Sequence, residues 1–109
     1  MGTFDLKKTK NGKFMFNLKA RNGQIILTSE MYNSKKSAEN GIASVQKNCG
    51  DDSKYDRLTG KSGKPYFCLK AGNNQVIGQS QQYKSSSSRS TGIASVKKNG
   101  KSETINDLT

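Results

Sequence analysis

The sequence predicts an α+β fold: two tandem copies of one strand-rich unit, each carrying a helix, packed around a shared core. Three observations predict it. Residue i matches residue i+51 without a gap from Gly12/Gly63 to Asn48/Asn99, which marks a duplicated supersecondary unit. Within each copy the apolar residues alternate with period two and then change to helical spacing. Each copy has roughly 50 residues, a size that buries too little apolar surface to be more than marginally stable alone. The 109 residues therefore read as one domain, residues 1–109, made of repeats of about 1–53 and 54–109.

The elements follow in order. Short strands are predicted around Phe4–Lys7 and Tyr55–Leu58. Asn11-Gly12 and Ser62-Gly63 then mark turns. Phe14, Phe16, Leu18 and Ala20 alternate with Lys13, Met15, Asn17 and Lys19, the pattern of a half-buried strand. In the second copy Pro65, Phe67, Leu69 and Ala71 alternate with Lys64, Tyr66, Cys68 and Lys70. Pro65 lacks an amide proton, so it belongs at a strand start or where no donor is needed.

Asn22-Gly23 and Asn73-Asn74 are hairpin signals, because these residues tolerate positive φ. Strands Gln24 to Ser29 and Gln75 to Ser80 complete a three-stranded meander in each copy. Ser34 and Ser85 are candidate helix N-caps. Ala38, Ile42 and Val45 share one helical face, as do Ile93 and Val96. Gly41 and Gly92 sit mid-helix, at a cost of about 1 kcal/mol each against alanine, which implies a close approach there. Asn48 and Asn99 end the helices, with Gly50 and Gly100 nearby. Tyr55–Thr59 also matches Ile105–Thr109 at offset 50, so the middle segment is expected to close the first copy as well as open the second.

The quoted residues resemble a known family. Gly12-Lys13-x-x-Phe16-x-Leu18-Lys19-Ala20-x-Asn22-Gly23, Ser29-Glu30-x-Tyr32 and Gly41-Ile42-x-Ser44-Val45-x-x-Asn48 are similar to the YegP-like family of small bacterial and archaeal proteins. The second copy repeats the signature with Asn74 for Gly23 and Gln81 for Glu30. The resemblance implies β(3)-α-β units that share a single sheet and exchange the strand after each helix. It brings no known activity, cofactor or catalytic residue. The expected architecture is thus two tandem β(3)-α-β-type repeats with one mainly antiparallel sheet, two helices on one face, and pseudo-twofold symmetry.

The formal net charge is +11. The first copy contributes nine basic minus five acidic residues, the second ten minus three, hence +4 and +7. Such an excess favours polyanion partners. No stretch has the length and apolarity of a membrane span, and the N-terminus lacks a signal-peptide core. Met1-Gly2 begins like a myristoylation site, but Leu6 stands where that motif requires Ser or Thr. A cytoplasmic, monomeric protein without membrane association is expected.

Catalytic chemistry has little to work with. There is no histidine, so the commonest general base and nitrogen ligand are missing. Cys49 and Cys68 occupy non-equivalent repeat positions with no CxxC spacing and are expected to be free thiols. Asp51, Asp52 and Asp56 fit no calcium-loop spacing. Gly60-Lys61-Ser62-Gly63-Lys64 lacks the phosphate-loop spacing and leads into a strand. Ser85–Ser88 opens a helix and reads as redundant capping, as does Ser34–Ser37. The sequence therefore predicts a protein that is not an enzyme and holds no cofactor or metal.

The outward strand face is the candidate site. Lys13, Asn17 and Lys19, with Lys64, Tyr66 and Lys70, are expected to point away from the helices. Together they form a basic face with an aromatic, suited to nucleic acid or another polyanion through phosphate pairing and stacking. The alternative is a structural module that binds a protein partner through Met15, Tyr66 and Cys68.

Overall fold

The computed structural model describes residues 2–109. In chain order the elements are β1 (Thr3–Lys8), β2 (Phe14–Lys19), β3 (Ile25–Ser29), α1 (Lys35–Asn48), a 3-10 turn (Asp52–Lys54), β4 (Tyr55–Thr59), β5 (Pro65–Lys70), β6 (Val76–Gln79), α2 (Ser86–Asn99) and β7 (Ile105–Asp107). All seven strands form one sheet in the order β4-β5-β6-β3-β2-β1-β7. Every pairing is antiparallel except β1 with β7. The copies meet at β3 and β6, where the pseudo-twofold passes. This is the expected α+β architecture of two repeats, and the strand after each helix does join the other copy's sheet.

One core serves both copies. Phe4, Leu6, Phe16, Leu18, Leu27, Phe67 and Leu69 from the strands pack with Ile42, Val45, Ile93 and Val96 from the helices in a single buried cluster. The strand residues alternate, so this core lies on one face of the sheet. The helices begin where their caps dictate. Ser34 Oγ accepts the Ser37 amide at 3.1 Å and Ser85 Oγ accepts the Ser88 amide at 3.1 Å, contacts worth about 1 kcal/mol each. Pro65 opens β5, as its missing donor requires.

Gly41 and Gly92 have a more specific cause than close helix–sheet approach alone. A Cβ on Gly41 would lie 2.5 Å from the Tyr32 hydroxyl, and one on Gly92 would lie 2.2 Å from that of Tyr83. Each tyrosine lies flat beside a core phenylalanine, Tyr32 with Phe16 at 6.3 Å and Tyr83 with Phe67 at 6.2 Å between centroids. The glycines leave room for that layer.

Two local expectations are corrected. In the β2–β3 hairpin only Gly23, and not Asn22, takes positive φ (83°), and Asn74 takes φ 67° in the β5–β6 hairpin. The Gly23 amide donates to the Ala20 carbonyl and the Ala20 amide to the Gln24 carbonyl. This is a turn followed by one left-handed residue, not a two-residue hairpin with both residues inverted. Asn22 instead uses its side chain, accepting the Gln24 amide at 3.0 Å. Second, the offset-50 match of Tyr55–Thr59 with Ile105–Thr109 does not relate equivalent places. Tyr55 pairs with Leu69 just as Phe4 pairs with Leu18, so β4 occupies the place of β1, and β7 has no counterpart.

Candidate ligand-binding site

The helix-free face of the sheet carries a continuous polar row. Asn106, Asp5, Asn17, Thr28, Gln79, Cys68 and Asp56 stand opposite one another across successive strands. The structure ties two of the predicted lysines to carboxylates on this face. Lys19 Nζ lies 2.7 Å from Asp5 Oδ2, and Lys70 Nζ lies 2.7 Å from Asp56 Oδ2. Asn17 is buried and its Nδ2 donates to Thr28 Oγ1 at 3.1 Å. Lys13 and Lys64 precede the strands in the turns, where Lys13 bonds Asn33. Tyr66 is half-buried opposite Leu58, and Cys68 is buried.

Two of the four lysines are therefore compensated by ion pairs. The Lys19 ammonium, with help from Asn106, holds the Asp5 carboxyl below its usual range despite burial. The signal for these pairs was present: Asp5 and Asp56 are also 51 residues apart, just before the aligned stretch. Burial raises both cysteine thiols, Cys49 most simply through desolvation and Cys68 with the Asp56 carboxylate adding to it. A raised thiol is a poor nucleophile at neutral pH. Among the described residues no group of three or more Cys, Asp or Glu side chains could hold a metal ion.

A second feature was not anticipated. Two open grooves of about 470 and 550 Å³ lie on the helix side, related by the pseudo-twofold. In the first, Asn22, Gln24 and Ile26 from the β2–β3 hairpin and β3 face Tyr83, Ser88 and Ser95 of the other copy. In the second, Asn73, Gln75 and Ile77 face Tyr32, Ser37 and Ser44. Every one of these positions carries the same residue in both copies. Each groove thus crosses the repeat boundary, built from the hairpin of one copy and the helix of the other.

Shallower depressions of about 440 and 450 Å³ continue each groove along the helix. The first ends at Arg21 and Lys98, the second at Lys47 and Gly72. The linings differ in charge, since the first has Gln81 where the second has Glu30. Part of the repetition serves the fold: Asn22 and Asn73 fix the hairpins, and Ser44 and Ser95 accept from Asn48 and Asn99. The Gln24 and Gln75 side chains make no hydrogen bond among the described residues, and they line the grooves. Desolvation, with Glu30 nearby, raises the Tyr32 hydroxyl above its ordinary value, and burial raises that of Tyr83. Both stay neutral donors at physiological pH.

A duplicated β(3)-α unit with this sheet order and two grooves related by the pseudo-twofold defines a tandem-repeat class. The family described as Domain of unknown function (DUF1508) matches residues 9–56 and again 61–107. The chain belongs to that family and carries its domain twice. It is 59% identical to a UPF0339 protein of Acinetobacter baylyi over 99% of this chain and 97% of the relative. It is 57% identical to the UPF0339 protein YegP of Yersinia pestis over 100% and 97%. The solution NMR structure of YegP from E. coli, described as of unknown function, has a TM-score of 0.95 at 55% identity, covering 99% of this chain and 93% of that one. The UPF0339 protein of Shewanella oneidensis gives 0.94 at 52%, covering 99% and 92%. The YegP-like resemblance read from the repeats is thereby confirmed.

Proposed function

We propose that this protein is a non-catalytic binding module for polyanions, nucleic acid first, and that it engages the ribose-phosphate backbone in its two grooves. The carrying observation is the groove lining, in which carboxamides and hydroxyls stand among apolar side chains, a set repeated in both copies and partly unused by the fold. Carboxamides and hydroxyls both donate and accept, which suits a hydroxyl-rich chain. Arg21 and Lys98 at the end of the first groove suit phosphate. The charge excess supports the reading. Five of the 19 basic residues (Lys19, Lys35, Arg57, Lys70 and Lys97) form ion pairs, which leaves 14 without one among the described residues.

Tyr32 and Tyr83 each have one ring face laid against a core phenylalanine. Binding through the backbone is expected to be indifferent to base sequence. The helix-free face contributes less than its lysines suggested, because Asp5 and Asp56 neutralise two of them.

The test is fluorescence anisotropy with a labelled single-stranded RNA across a salt series. Affinity should fall steeply with salt as counterions are released. Lys98→Glu with Arg21→Glu should weaken binding several-fold more than Lys13→Glu with Lys64→Glu. No binding at about 50 mM salt, where phosphate attraction is strong, contradicts the proposal. Equal losses from both double variants would return the site to the sheet face.

A further inference from the structure

The two strands that open the repeats are equivalent in register but not in company. β1 lies between β2 and β7, whereas β4 has β5 alone. On β1 the added strand runs parallel, with Ile105 opposite Phe4, Asn106 opposite Asp5 and Asp107 opposite Leu6. The Phe4 amide donates to the Thr104 carbonyl at 3.0 Å, and the Leu108 amide to the Leu6 carbonyl at 2.8 Å. Asn106 Nδ2 donates to Asp5 Oδ1 at 3.1 Å.

Tyr55, Asp56 and Arg57 occupy the places of Phe4, Asp5 and Leu6. In an antiparallel pair alternate residues bond the partner strand. The Gly60 amide donates to the Lys64 carbonyl, so Asp56, Leu58 and Gly60 face β5 while Tyr55, Arg57 and Thr59 face outward. The Tyr55 amide is already used by the Asp52 carbonyl. The Arg57 amide and carbonyl and the Thr59 amide remain along the open edge.

We propose that the β4 edge is a docking site for an extended, acid-bearing segment of a partner protein, added parallel as an eighth strand in the register β7 uses on β1. In that register an apolar residue meets Tyr55, a carboxamide meets Asp56, and an acid meets Arg57. Charge selects this occupant. Asp52 pairs with both Arg57 (3.1 Å) and Lys97 (2.9 Å), so two cations share one carboxylate and the corner keeps a positive charge. A second copy joined edge to edge about Arg57 would set arginine against arginine, and like charges directly opposite are unfavourable. Strand addition of this kind draws affinity from main-chain bonds and specificity from alternate side chains.

The probe is a synthetic peptide copying residues 104–109, Thr-Ile-Asn-Asp-Leu-Thr, titrated into the full chain and followed by amide NMR shifts. Shifts and slowed exchange at Arg57 and Thr59 are expected, with affinity about threefold lower for Arg57→Asp, the size of one cross-strand ion pair. A peptide with Lys in place of its Asp should restore binding to that variant. Arg57 is exposed, so the substitution leaves the core untouched. Shifts confined to β1 and β7, no shift at Arg57 and Thr59, or sedimentation showing a dimer that Arg57→Asp dissolves would each overturn the proposal.

Discussion

The two copies solve the same packing problem with different surroundings, and Leu6 and Arg57 show the consequence. They occupy equivalent register positions opposite Phe16 and Phe67, Leu6 one strand in from the sheet edge and Arg57 on the edge strand itself. Leu6, on a strand flanked on both sides, is 1% exposed and belongs to the core. No strand flanks the outer side of β4, and the same place holds an exposed arginine. The core repeats because the sheet and helices repeat. The periphery diverges because only one copy has a seventh strand beside it.

The sharpest way to break this comparison is to truncate both residues. Leu6→Ala should cost about 2–4 kcal/mol, the range for a buried leucine. Arg57→Ala should stay within about 0.5 kcal/mol, as for an exposed edge residue. Urea denaturation of the two variants measures the difference, and comparable losses would mean that β7 does not create the asymmetry.

The helix glycines test what is common to the copies. On propensity alone Gly92→Ala should gain about 1 kcal/mol. A Cβ there meets the Tyr83 hydroxyl, so a net loss of about 1–3 kcal/mol is expected from overpacking. Gly41→Ala should behave alike. Thermal melts decide the sign, and stabilisation in either would remove the tyrosine layer as the reason for these glycines.

The repeated ion pairs should differ more modestly. Asp5 is buried beside Lys19 and also receives Asn106, whereas the Asp56 side chain is 44% exposed. Asp5→Asn should cost about 1–2 kcal/mol and Asp56→Asn less than about 1 kcal/mol. The folded state holds the Asp5 carboxyl below its ordinary value. Its contribution is therefore present at neutral pH and lost as pH falls through the carboxylate range. Asp5→Asn should flatten the acid limb of a stability-against-pH curve, and an unchanged limb would contradict the assigned pairing.

The same contrast shows what could be read from the sequence. Helix starts at Ser34 and Ser85, strand faces, the Pro65 strand start and the shared core all follow from local chemistry and period, and all are found. Of the lysines read as one face, Lys19 and Lys70 are tied to carboxylates. Whether Lys19 is free depends on which residue of β1 lies diagonally opposite, and register is not a local property. The grooves escaped for a related reason. Their residues are far apart in sequence, and they meet only because the hairpin of one copy lies beside the helix of the other. Their one sequence signal was the repetition of polar residues such as Gln24/Gln75 and Ser37/Ser88 that the core does not demand.

The grooves themselves differ between copies, with Arg21 and Gln81 on one side against Gly72 and Glu30 on the other. The first is therefore the stronger anion site. Residue-resolved NMR during titration with a short single-stranded RNA tests the central claim most directly. The account predicts the largest shifts at Asn22, Gln24, Ser88, Thr91 and Ser95, with smaller ones at Asn73, Gln75, Ser37 and Ser44. Shifts centred instead on Lys7, Met15 and Tyr66 of the helix-free face, with the grooves silent, would contradict it.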